Sequence, residues 1–222
     1  MKIALAALAA LLLQDATRDM KDACAKMDQV RSYHYTIKAL HEGEEKHSSE
    51  GEYQAPDLLH VRSERNETVK KGERKLLKEK DGEWKEPGPL MRKLIDPAPP
   101  HEWVRKLLEP CPPLKKEKST KIGSTTVDIY VHSLAHETAR KSFEAGGMPL
   151  IGSVADWSKT QNGVLFYIGR DDLVYKVELR VDGHAKDDKK IDRQVIIEFS
   201  DFGRAKLQIP EAAREKLGLK DK

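Results

Sequence analysis

From Gly163 to Gly203 apolar and polar residues alternate with a period of two, interrupted by short charged turns. Val164, Phe166 and Ile168 alternate with Leu165, Tyr167 and Gly169, and Arg170-Asp171-Asp172 closes the run. Leu173, Tyr175, Val177, Leu179 and Val181 then share one face, with Lys176, Glu178 and Arg180 on the other. Asp182-Gly183 reads as a turn. Ile191, Val195, Ile197 and Phe199 mark a third run, ended by Ser200-Asp201-Phe202-Gly203. This pattern predicts three consecutive antiparallel strands with one buried and one wet face. A sheet of that kind needs cover, and the rest of the chain can supply it.

Upstream, Ala16, Met20, Ala23, Cys24, Met27 and Val30 fall at helical spacing among charges, which predicts an amphipathic helix ending near Arg31-Ser32. The period then changes to two. Tyr33, Tyr35, Ile37 and Ala39 share one strand face, opposite His34, Thr36 and Lys38. Glu42 to Ser48 reads as a polar loop, Gly51-Tyr53-Ala55 as strand, Pro56-Asp57 as a turn, and Leu59 and Val61 as strand positions alternating with His60 and Arg62. Residues 64–80 offer only Val69, Leu76 and Leu77 for burial, which suits one or two charged edge strands. Asp81-Gly82 is a turn before Trp84. Prolines then punctuate two short apolar-faced segments, Leu90 to Ile95 and Trp103 to Leu108, each too short to be stable alone. Thr125, Val127, Ile129 and Val131 resume the strand pattern, a non-strand insertion is expected from Ala135 to Ser158, and Pro210 opens a short tail helix. The sum is an α+β chain: an antiparallel sheet with helices on one side.

Composition narrows the function. The 222 residues are 38% hydrophobic and 35% charged, above the usual charged share of roughly a quarter. Forty basic residues nearly balance thirty-seven acidic ones, and the signs alternate along the strands. That is not the one-sided basic footprint of a nucleic-acid binder. Runs such as Lys115-Lys116-Glu117-Lys118 read as solvated strand faces. At the N-terminus, Met1-Lys2 precedes an unbroken Ala/Leu/Ile run from Ile3 to Leu13, too short to span a bilayer but suited to a signal-peptide core. Residues 1–16 are therefore expected to be an export signal and 17–222 a single domain with no transmembrane segment. Cys24 and Cys111 are the two cysteines. In an exported protein they can form a disulfide, stabilising by about 3–5 kcal/mol in the chain-entropy account. Two unpaired thiols is the other open reading.

Val30-Arg31-Ser32-Tyr33-His34-Tyr35, Glu50-Gly51-Glu52-Tyr53 with Ala55-Pro56-Asp57, and Asp81-Gly82-Glu83-Trp84 resemble the opening of the LolA/LppX-like superfamily of bacterial envelope lipid and lipoprotein carriers. The late strand pair with Phe199-Ser200-Asp201-Phe202-Gly203 and Ile209-Pro210 resembles its ending. The resemblance implies a strongly curved antiparallel sheet, an incomplete barrel, with helices over its concave face and an apolar cavity beneath them. It further implies binding of a lipid or an acylated protein, and a periplasmic or otherwise extracytoplasmic location.

Motifs of catalysis are missing from the sequence. His132 and His136, with Glu137, are spaced four apart, but the strand pattern runs through His132, so the pair is expected to straddle a strand end rather than hold a metal. There is no nucleophile elbow, no P-loop and no dinucleotide fingerprint. No enzyme, metal or cofactor is expected. The expected ligand-binding residues are the apolar members of the two non-strand regions: Trp84, Leu90, Met91, Leu94, Ile95, Trp103 and Leu107, with Met148, Leu150, Ile151 and Trp157. They can equally fill a core; large aromatics and adaptable Met also suit imprecise apolar ligands. The rival to a lipid-binding protein is an interaction or sensor module with a filled core, using its charged edge strands or the 135–158 insertion to bind an envelope protein or peptide.

Overall fold

A computed structural model describes residue 16 and residues 18–88, 98–108, 114–145 and 155–219. Its elements are helix α1 (residues 18–29), strands β1 (Ser32–His41), β2 (Glu44–Gln54), β3 (Leu58–Ser63), β4 (Asn66–Lys71) and β5 (Arg74–Glu79), helix α2 (Pro100–Leu108), β6 (Lys115–Ile122), β7 (Thr125–Ser133), α3 (His136–Ala145), β8 (Ala155–Gly169), β9 (Val174–Ala185), β10 (Lys190–Ser200) and α4 (Glu211–Leu217). The strands follow the hydrogen-bonded order β5-β4-β3-β2-β1-β10-β9-β8-β7-β6, one antiparallel sheet that is not closed. The expected α+β class with an open antiparallel sheet is what the chain adopts. No helix among the described residues is long and apolar enough to cross a membrane.

Contacts divide the fold into two compact units. The first contains α1, residues 38–47 and residues 100–198. Its organising feature is the β7–β10 meander, in which residues directly opposite across a ladder share a face. Tyr130, Phe166, Val177 and Ile197 form one such cross-strand row, and His132, Val164, Leu179 and Val195 the next. All eight are buried. The helices cover this face. Tyr130 donates its hydroxyl to Asp19 of α1 at 2.7 Å, α3 packs on β8, and Arg105 of α2 reaches Asp28 of α1 at 3.3 Å. The expected α1 stripe is buried at Ala16, Met20, Ala23 and Met27, while Cys24 and Val30 are half-buried.

The second unit contains residues 30–37, 48–99 and 199–222. One face of its strands carries Tyr33, stacked on Tyr53 at 5.0 Å and edge-on to Phe199 at 5.4 Å. On the other face Val69 and Leu76 pair directly across β4 and β5, and Trp84 with Ala213 and Leu217 of α4 covers them. Arg74 holds the end of α4 by donating to the Leu217 carbonyl at 3.1 Å and the Lys216 carbonyl at 2.6 Å. A cation there also complements the negative end of the helix dipole.

Four local expectations are corrected. The polar stretch 42–48 is no long loop: the turn is Glu42-Gly43, both at positive φ, and β2 begins at Glu44. Residues 44–47 are exposed on both faces, so they carry no alternation to read. The insertion expected to reach Ser158 gives way to strand at Ala155, and its earlier part holds α3. Tyr175 leaves the buried face, because an irregularity in the β8–β9 register after the Tyr167 pairing puts Val174 opposite Ile168 and fully buried. Asp182-Gly183 is not a turn; β9 continues to Ala185. Gly183 has φ 154°, and a Cβ there would lie 2.3 Å from the Lys159 carbonyl oxygen, at the bulge in β8. Glycine marks close backbone approach at that position.

Gly183→Ala should therefore lose about 2–3 kcal/mol of stability, from overpacking at a strained backbone position. Gly43→Asn, in open space at φ 79°, should change stability by less than about 1 kcal/mol because Asn tolerates that conformation. Urea denaturation of both variants checks the contrast.

Candidate functional site

Alternation builds the interior face of the first unit from the bottom up. Every second residue of β8 (Asn162, Val164, Phe166), of β9 (Val177, Leu179, Val181) and of β10 (Arg193, Val195, Ile197) points to the side the helices cover. Seven are apolar, and of the seven Val164, Phe166, Val177, Leu179 and Val181 are fully buried at 0% exposure. From α2, Trp103, Val104 and Leu107 are buried on one helix face, as their spacing of three to four requires. Trp157, near the start of β8, is half-buried.

Of the expected ligand-binding set, Trp103, Leu107 and Trp157 belong to this first unit. Trp84 belongs to the second, packed against Val69, Leu76, Ala213 and Leu217. Leu90, Met91, Leu94, Ile95, Met148, Leu150 and Ile151 lie outside the described residues. So does Cys111, and with it the bridge to Cys24.

The histidine pair falls on two elements. His132 is buried near the end of β7, where desolvation pushes its pKa down. His136 is exposed at the start of α3, its Nδ1 3.2 Å from Asn162 Nδ2, and Glu137 pairs with Lys141 at 2.9 Å. Among the described residues no group of three potential ligands is arranged to hold a metal.

Two buried charge clusters lay hidden from sequence reading. On β9, Glu178 is 4% exposed. It accepts from the Tyr167 hydroxyl at 2.9 Å and from Gln194 at 3.0 Å, and pairs with Lys176 at 2.8 Å and with Arg180. Burial raises the Glu178 pKa, but these donors outweigh it and hold the carboxyl below its ordinary range. Burial and Glu178 together push Tyr167 up to about 12. This cluster is internally satisfied.

The second cluster is a lattice across β2, β3 and β4. Glu52 pairs across the ladder with His60, and His60 with Val69; Glu50 pairs with Arg62, and Arg62 with Glu67. The side chains meet directly across the ladder and on its diagonals. His60 Nε2 is 2.7 Å from Glu67 Oε1, and Arg62 donates to Glu52 and, at 3.0 Å, to Glu50. His60 Nδ1 lies 2.9 Å from Glu52 Oε2 but off the direction of a hydrogen bond, so both atoms are buried without a hydrogen-bond partner among the described residues. A groove of about 210 Å³ beside it is lined by Arg62, Arg65, Glu67 and Lys78 among others; it is polar and charged, unsuited to an acyl chain. A carboxylate–imidazole–carboxylate array has the parts of a general base. The His60 and Glu52 side chains are only 0% and 1% exposed, however, so a substrate has no path to them. The cluster clasps three strands electrostatically.

The alternation in β3 assigned His60 and Arg62 to a wet face. The readable signal was Glu50-x-Glu52 facing His60-x-Arg62 across the turn at Pro56-Asp57, opposite charges that a hairpin register sets face to face.

Burial raises the Glu52 pKa, but His60 and Arg62 outweigh it and hold the carboxyl below its ordinary value of 4.5. A depressed carboxyl pKa contributes stability that is present above the ordinary value and lost as pH falls through the folded-state value. Wild-type stability should thus fall more steeply than that of Glu52→Gln as the pH drops below 4.5. His60→Ala, which strips a buried partner from two carboxylates, should cost about 3–5 kcal/mol near neutral pH. Urea midpoints across pH measure both.

No family model and no curated protein matches the chain. Solved structures do. The Mycobacterium tuberculosis lipoprotein LppX aligns with 87% of this chain and 98% of its own, at a TM-score of 0.57 and 9% identity. LprF from Mycobacterium bovis aligns with 90% and 98%, at a TM-score of 0.57 and 12% identity. A LolA superfamily protein from Nitrosomonas europaea aligns with 86% of this chain at 8% identity, but its TM-score of 0.32 carries no weight. Despite such low identity, this chain has the LppX-like fold.

Proposed function

We propose that this protein is an exported binding protein of the bacterial envelope, which takes up a lipid or an acylated ligand on an apolar surface under its helices. The observation that carries this reading is the fold shared with lipoprotein LppX over nearly the whole of that protein. The apolar run from Ile3 to Leu13 supports export, with residues 17–222 as one functional domain. The ligand's acyl part lies against Trp103, Leu107 and Trp157. Transfer of acyl chain out of water drives the binding, at about 0.8 kcal/mol per CH₂. The role is binding rather than catalysis: Glu178 is fully engaged by its neighbours, and Glu52 and His60 are sealed.

A second reading rests on β6. Every residue from Lys115 to Lys121 is exposed, and β6 ends the sheet order. Such an edge can accept a strand from an envelope protein or peptide.

Native mass spectrometry and solvent extraction of the purified protein test the first reading. An acyl-bearing molecule at about one per chain is the expected result, with fluorescent fatty acid taken up after its removal. Trp157→Ala should weaken that uptake roughly tenfold, the loss of one large aromatic contact. A protein that carries no lipid and takes up no fatty acid would overturn the reading. Capture of a peptide that protects β6 amides from exchange would favour the second.

A further inference from the structure

On β8, β9 and β10 the interior face of the first unit is apolar in the Phe166 and Val164 rows, and the next row carries Asn162, Val181 and Arg193 opposite one another. Val181 is fully buried between the two polar side chains. Asn162 is 8% exposed. Its Nδ2 lies 3.2 Å from His136 Nδ1, and its Oδ1 is buried with no hydrogen-bond partner among the described residues. Turning the amide over exchanges the two atoms and still leaves one of them orphaned. Arg193 Nε is buried without a partner among the described residues in the same way. Burial pushes the guanidinium pKa down, and the Glu42 carboxylate opposes that only in part.

Native folds leave few buried polar atoms unpaired. Two in a single cross-strand row, beside the apolar rows of β8–β10, mark a place that a ligand completes. With strands about 4.8 Å apart, the Asn162 and Arg193 backbones stand about 10 Å apart, close enough for both side chains to reach one head group. The chemistry each asks for differs. The Arg193 N–H needs an acceptor, best an anionic oxygen. The orphaned amide atom needs a group that can both donate and accept, which a hydroxyl does. On β8–β10 the next two rows, Val164, Leu179 and Val195 and then Phe166, Val177 and Ile197, are hydrocarbon.

We infer that Asn162 and Arg193 form a head-group site for an anionic amphiphile bearing a hydroxyl beside its phosphate or carboxylate, with the acyl chain running along the apolar rows of the same face. The site rests on the lipid-binding reading above and names the class of lipid. His136, already against the amide, orients Asn162. Neutral acyl ligands would leave Arg193 unpaired and bind more weakly.

Calorimetry and native mass spectrometry on the delipidated full chain test this with three probes: lysophosphatidylglycerol, a monoacylglycerol of the same chain length, and inorganic phosphate. Lysophosphatidylglycerol should bind at least tenfold more tightly than the monoacylglycerol, the scale of one charge-assisted pair. Arg193→Gln should erase that preference while leaving monoacylglycerol binding within about twofold, and Arg193→Lys should restore part of it. Asn162→Ala should weaken both amphiphiles several-fold. Thermal melts establish that each variant is folded; should Arg193→Gln fail to fold, Arg193→Lys and Asn162→Ala carry the comparison. Equal wild-type affinity for the two amphiphiles, or a preference untouched by Arg193→Gln, would overturn the site and leave the lipid reading standing. If only inorganic phosphate binds, and Arg193→Gln abolishes it, the lipid reading fails and the site is one for a free anion. If no probe binds, both fail.

Discussion

Double-sided pairing of β9, with β8 on one edge and β10 on the other, is the constraint on which the first unit depends. Because side chains alternate and opposite residues share a face, that ladder places Val177, Leu179 and Val181 in line with Phe166, Val164 and Asn162 and with Ile197, Val195 and Arg193. A slip of one residue would exchange this wall for Lys176, Glu178 and Arg180. The bulge in β8 opposite Gly183 is accommodated without disturbing it, since the Thr160 to Phe166 pairings on the far side keep register. The helices can settle only where the wall is apolar, so α1, α2 and α3 follow from strand pairing rather than directing it.

A chain with 35% charged residues cannot keep all of them in water while forming a ten-stranded sheet. Burying a charge is tolerable only when it is paired and hydrogen-bonded. The molecule meets this differently in different places. Around Glu178 the donors Tyr167, Lys176, Arg180 and Gln194 come from β8, β9 and β10 and satisfy it. In the Glu52–His60–Glu67 lattice, carboxylates face imidazole and guanidinium nitrogens on neighbouring strands, with one contact misaligned. At Asn162 and Arg193 one buried polar atom each, Oδ1 and Nε, is left without a hydrogen-bond partner among the described residues. That gradation, from closed to open, separates polar clusters that hold the fold together from the row where a ligand can contribute.

Under the lipid-binding proposal, an apolar wall beside a polar row suits a molecule that is greasy along most of its length and charged at one end. Such a surface discriminates weakly between acyl chains, because dispersion and hydrophobic burial are non-directional. Selectivity then falls to the few directional groups, as in most small-molecule sites.

The sequence by itself determined the strands of the meander, the α1 stripe and the buried Val69, Leu76 and Leu77 of the charged hairpin, because burial of one face writes a period of two or of 3.6 into the chain; the LppX-like fold was legible through the resemblance of its turn motifs. It could not determine which polar residues would be buried. His60 read as a wet position, and nothing in the pattern singled out Glu52, Asn162 or the buried Nε of Arg193. Their burial depends on what lies opposite and above them, which only strand register and helix placement decide. Gly183 shows the same limit locally: Asp182-Gly183 has the composition of a turn, and only the close approach of the Lys159 carbonyl reveals why glycine is needed inside a strand. Period is a local property of the chain; partnership is not.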